Sequence, residues 1–144
     1  MRVAGLVTWV LAALLGVFLL RTWLAHGGLR RKARARSSRF APPLIFGHGG
    51  LAASGLAVWI AYLVMDVRPL AWAALVILVA VATLGSTMFG LWLRSGRLSR
   101  HGRHVYVARH AAEDHFPPPA VLAHGTFAVG TVVLVLLSAL QIGG

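Results

Sequence analysis

The sequence predicts an all-α integral membrane protein, with four transmembrane helices in an up-down bundle built from two parallel helical-hairpin repeats. Three observations predict it. Of 144 residues, 58% are hydrophobic and 12% charged, and the mean hydropathy of +0.78 is too high for a soluble domain of this size. Four apolar runs are each long enough to cross about 30 Å of hydrocarbon at 1.5 Å per residue. A thirteen-residue phrase is also written twice: Phe40-Ala-Pro-Pro-Leu-Ile-Phe-Gly-His48-Gly-Gly-Leu-Ala52 returns without a gap as Phe116-Pro-Pro-Pro-Ala-Val-Leu-Ala-His124-Gly-Thr-Phe-Ala128.

The predicted helices cover 3–23, 43–65, 69–93 and 118–142 of a single membrane domain, 1–144. None of the runs sustains a two-residue alternation, and Leu, Ala and Val dominate, so helices are expected rather than barrel strands. The first begins behind Met1-Arg2 and imitates a secretory signal. Its length, the lack of an Ala-x-Ala site and the basic stretch behind it favour an uncleaved helix. The second, third and fourth start at Pro42-Pro43, Pro69 and Pro117-Pro118-Pro119, where a missing amide hydrogen costs little in a first helical turn.

The connections decide orientation. Loops 24–42 and 94–117, together with Arg21, carry twelve of the fourteen basic residues, and only Arg2 and Arg68 fall on the other side. The positive-inside rule therefore puts both loops in the cytoplasm and both termini outside. This distribution accounts for the net charge of +11. The run Arg30-Arg31-Lys32-Ala33-Arg34-Ala35-Arg36 has no interleaved aromatics, so anionic lipid head groups are the expected partner and nucleic acid is disfavoured. The Ala, Gly, Arg and Val content fits a GC-rich bacterial genome, hence a bacterial inner membrane.

Six of the thirteen repeated positions are identical, among them Pro42 with Pro118, Pro43 with Pro119 and His48 with His124. Both copies open helices of the same direction, so the repeat is parallel. The first helices of the two halves match more weakly, around Trp23 and Trp92. Each duplicated histidine stands at the same depth inside an apolar segment, where an imidazole costs free energy without a partner. Two neutral imidazoles on diagonal helices can ligate haem iron from both faces. Flanking small residues, Gly47, Gly49 and Gly50 around His48 and Ala123, Gly125 and Thr126 around His124, leave room for a flat macrocycle. On this reading, a b-type haem has His48 and His124 as axial ligands. Arg39, Arg94 and His115 are candidates for the propionate side, and Thr83, Ser86 or Thr87 for orienting an imidazole from the third helix.

The same residues admit a second reading, in which small residues at four-residue spacing pack helices and the histidines bond neighbouring backbone or hydroxyl groups. Zinc is less favoured, because two histidines need further ligands and no Asp, Glu or Cys shares their depth. His101, His104, His110, Glu113, Asp114 and His115 are expected in a solvated loop with an interfacial helix near 105–112. His26 is a helix-end residue beside a glycine terminator. Trp23 and Trp92 are assigned to an interfacial belt, Trp72 to the outer interface, and Trp9 and Trp59 to the outer half or the bundle.

With three acidic residues and no cysteine, the chain has no embedded carboxylate for proton coupling and no thiolate chemistry. Nor does it hold a phosphate loop, a nucleophile elbow or an HExxH sequence. An enzyme acting alone is disfavoured. The organisation resembles small four-helix membrane cytochrome b anchors in architecture only. Two functions are expected: electron transfer by a haem subunit of a larger respiratory or redox complex, or a structural subunit of a membrane assembly. Either implies other membrane subunits or a homo-oligomer as partners.

Overall fold

The computed structural model describes the backbone of residues 1–29, 31–32, 35–36, 38–101 and 111–141, and the side chains of 1–29, 38–94 and 111–141. It is a four-helix bundle of α1 (Arg2–Ala25), α2 (Pro42–Met65), α3 (Arg68–His101) and α4 (Pro118–Ala139). All four are long and apolar enough to cross a membrane, α3 over Arg68–Arg94. Between α1 and α2 a two-residue antiparallel pairing sets Arg31 opposite Arg36 and Lys32 opposite Ala35. A 3-10 turn, Ala112–His115, precedes α4.

Local chemistry explains the helix ends. Prolines occupy the first turns of α2 and α4, where no amide donor is lost. At the end of α1, Gly27 takes φ 81°. Its amide bonds Leu24 O at 3.1 Å, and Gly28 N bonds Trp23 O at 2.9 Å, which satisfies carbonyls that the helix end would leave bare. Asp66 closes α2 in the left-handed region at φ 53°. Its carboxylate pairs with Arg2, whose guanidinium also lies 5.0 Å from the Tyr62 ring centroid.

The third helix runs to His101 rather than stopping near 93. Hydropathy ends with the apolar run, but main-chain hydrogen bonding continues through residues compatible with helix, arginine and leucine among them. The fourth ends at Ala139, before the expected 142. The interfacial segment expected near 105–112 lies mostly outside the described residues, as do His104 and His110.

Helix α1 packs along α4, and α2 along α3, with lesser contacts between α1 and α2 and between α3 and α4. Among the described residues α2 and α4 make no close backbone contact, so they stand at opposite corners. Two apolar clusters fill the bundle. One gathers Trp9, Trp59, Tyr62, Leu75, Leu78 and Val135; the other gathers Trp23, Phe40, Ile45, Ala112 and Phe116.

Glycine notches lock the first cluster. Trp9 of α1 fills the space at Gly55 of α2, and Trp59 of α2 fills the space at Gly5 of α1. A Cβ on Gly55 meets Trp9 at 2.9 Å and Ile77 at 3.0 Å. Gly55→Ala is therefore expected to destabilise the bundle by about 1–3 kcal/mol through overpacking, read as a lower melting temperature in detergent. An unchanged melt would show that the notch is not filled.

Candidate functional site

Between the two clusters the core is interrupted. No residue is buried between Ile45 and Gly55 on α2, between Phe116 and Thr131 on α4, between Ala12 and Trp23 on α1, or from Ala82 to Arg94 on α3. Over this band the residues of all four helices are half-buried or exposed, unlike those of the clusters on either side. His48 and His124 stand in that band, both half-buried. Their ring centroids are 6.2 Å apart with planes inclined at 65°.

Each imidazole is oriented by a neighbouring helix in the same way. His48 Nδ1 lies 3.1 Å from Val81 O on α3, and His124 Nδ1 lies 2.8 Å from Ala12 O on α1. A carbonyl only accepts, so each Nδ1 carries the proton and Nε2 is left with its lone pair. The facing helices come close because they carry glycine. A Cβ on Gly85 would stand 3.1 Å from His48 Cε1, and one on Gly16 would stand 3.2 Å from His124 Cε1. One turn beyond the histidines on the same helix faces, Ala52 and Ala128 add little bulk.

The separation is within the usual range of packed rings and also compatible with a shared ligand. A first-row metal bound by two imidazole nitrogens at about 2 Å each places the ring centroids roughly 6 Å apart when the ligands are collinear. Among the described residues no group of three or more His, Cys, Asp or Glu side chains gathers into a metal site.

The remaining candidates are placed as follows. Thr83, Ser86 and Thr87 are exposed, and the hydroxyls of Thr83 and Thr87 donate to Val79 O and Thr83 O of their own helix, each at 2.9 Å. The carbonyl of Val81 takes the orienting role toward His48 instead. Arg39, Arg94 and His115 are exposed near one end of the bundle. Arg39 stands 3.7 Å from Asp114, and the His115 ring stacks on His26 with centroids 3.9 Å apart. At the same end the duplicated phenylalanines, Phe40 and Phe116, meet with centroids 6.1 Å apart.

Two further findings depart from the sequence reading. Trp23, assigned to an interfacial belt, is fully buried, and its indole N–H donates to Ser38 Oγ at 2.8 Å. Glu113, assigned to a solvated loop, is also fully buried. It accepts from Ser38 Oγ at 2.8 Å and from the Arg39 amide at 2.6 Å. Its carboxyl thus ties the end of α1 and the entry to α2 to the turn before α4. Acidic residues in a basic loop read as solvated, and only the fold brings Ser38 and Arg39 to them. Gly16 and Gly85 were also missed, although they had a signal: aligning Trp23 with Trp92 puts Gly16 on Gly85 and Ala12 on Val81, the two sets that hold the imidazoles. Comparison with protein-family models, curated proteins and solved structures finds no match for this chain.

Proposed function

We propose that this chain is a b-type haem-binding membrane subunit that transfers electrons within a larger redox assembly, with His48 and His124 as axial ligands. One observation carries the reading: two oriented imidazoles, 6.2 Å apart, stand where all four helices lack a buried side chain. The tight pairs α1 with α4 and α2 with α3 leave their looser seam between the rings, and the macrocycle is proposed to enter there. Bound there, the haem would supply a one-electron couple. The protein's part is to present both Nε2 atoms, hold the ring tautomers through Ala12 and Val81, and exclude water with the clusters above and below.

The membrane setting belongs to the same proposal. The helices alternate in direction across a bacterial inner membrane, with termini outside and arginine-bearing connections in the cytoplasm. The two hairpins are parallel repeats about an axis through the bundle. Support comes from the duplicated residues themselves, since Phe40 meets Phe116 and His48 meets His124. A single haem near one face cannot carry an electron across a bilayer. A partner membrane subunit or a second copy of the chain completes the path.

A second reading is favoured by one specific feature, the bond from each imidazole to a neighbouring helix backbone. Such bonds also fasten membrane helices without any cofactor, which makes the chain a structural subunit. The visible spectrum of protein purified from haem-replete cells separates the two. A Soret band with low-spin bis-histidine features supports the haem reading, and a folded, haem-free preparation defeats it.

The glycines give an independent check. Gly16→Ala and Gly85→Ala each press on one imidazole and are expected to shift the reduced absorption bands and midpoint potential while retaining the bundle. If spectra and potentials match wild type in both variants, α1 and α3 do not orient the ligands.

A further inference from the structure

The outer face of α1 carries a groove of about 570 Å³ lined first by Leu14, Val17 and Phe18 and then by Arg21, Thr22, Ala25 and His26. By helical periodicity this face points away from Gly16 and the histidine pair. Leu14, Val17 and Phe18 are exposed there, so the groove is an apolar surface ending in a cation.

The charge is what makes the groove informative. The chain has three acidic residues, and each is engaged elsewhere: Asp66 with Arg2, Asp114 with Arg39, and Glu113 with Ser38 and the Arg39 amide. Arg21 consequently has no acidic partner among the described residues. A guanidinium beside an apolar wall attracts an anion that brings its own hydrocarbon, and its forked donors suit a phosphate. A zwitterionic lipid brings a phosphate already balanced by its own ammonium, and a small anion would leave the wall uncovered.

We propose that this groove binds one anionic phospholipid, with its phosphate at Arg21 and an acyl chain along Leu14, Val17 and Phe18. The site rests on the reading that α1 crosses a membrane, but is independent of haem. It differs from the diffuse attraction of the arginine connections for a lipid surface in needing both halves of the groove. His26 borders the phosphate end, with Nδ1 held 2.8 Å from Thr22 O.

The test is native mass spectrometry of the full chain in mild detergent, titrated with phosphatidylglycerol, phosphatidylcholine or glycerol phosphate. Wild type is expected to retain one phosphatidylglycerol in preference to phosphatidylcholine, with no displacement by equimolar glycerol phosphate. Arg21→Gln and Phe18→Ser are each expected to weaken retention roughly fivefold or more, and Val129→Ser, at an exposed position on α4, to leave it unchanged. Both groove substitutions are at exposed positions, and circular dichroism verifies that each variant stays helical. Equal binding of the two lipids, displacement by glycerol phosphate, or full retention by Phe18→Ser overturns the proposal. Recovery of the chain without detergent in the soluble fraction would instead overturn the membrane reading beneath it.

Discussion

His48→Ala and His124→Ala are each expected to abolish the Soret band of the purified protein, whereas wild type carries about one haem per chain. The expectation follows from geometry. On the haem reading the two rings would reach the iron from diagonal helices, and among the described residues no group of three or more His, Cys, Asp or Glu side chains gathers to offer a replacement. Without one of the two imidazoles the chain would offer a bound haem a single axial nitrogen, and low-spin character and retention would both be lost. The packing alternative predicts a different result from the same proteins. If the imidazoles only bond Val81 O and Ala12 O, each alanine lowers stability by about 0.6–1.7 kcal/mol, and no spectrum changes because there is none. Melting curves and spectra recorded on the same preparations separate the two. A wild-type Soret band that survives both single substitutions removes the assigned ligands.

Glu113→Ala is expected to lower stability by about 1–3 kcal/mol through the loss of a buried acceptor shared by two donors. The carboxyl is inaccessible, and its loss takes an acceptor from the Ser38 hydroxyl and the Arg39 amide; the hydroxyl keeps the Phe40 carbonyl, 3.3 Å away, as a second acceptor. The damage reaches beyond one loop, because Ser38 also accepts from the Trp23 indole. Glu113→Gln retains volume and one carbonyl acceptor, so it is expected to cost roughly half as much. The readout is the melting temperature of the detergent-solubilised protein by circular dichroism. Coincident melts for Glu113→Ala and wild type would show that the clasp carries no load.

Much of this architecture was legible in the residues. Leu, Ala and Val runs of membrane-spanning length mark four helices, and prolines mark three of their starts within a residue. The duplicated phrase also picks out the two histidines, because an imidazole amid hydrocarbon needs a reason. Legibility failed where hydropathy is a poor proxy. At the end of α3, charged residues continue a helix whose apolar run has stopped. At Trp23 and Glu113, residue type suggested a surface, yet the tryptophan N–H, Ser38 hydroxyl and glutamate carboxyl satisfy one another inside. Composition records what each side chain prefers alone, whereas burial depends on whether a polar partner arrives with it.

The sequence by itself determined the helical class, the four apolar segments, the asymmetry of charge and the matched histidines. These are local properties, written in segment length, hydropathy and repetition. Only the tertiary structure decided that α2 lies along α3 and α4 along α1, that the two imidazoles stand 6.2 Å apart, and that carbonyls of Ala12 and Val81 hold them. It alone showed the band without buried side chains around the pair. Those features join residues far apart in the chain. Their relative placement is set by helix packing through glycine notches and tryptophan wedges, which no single segment encodes.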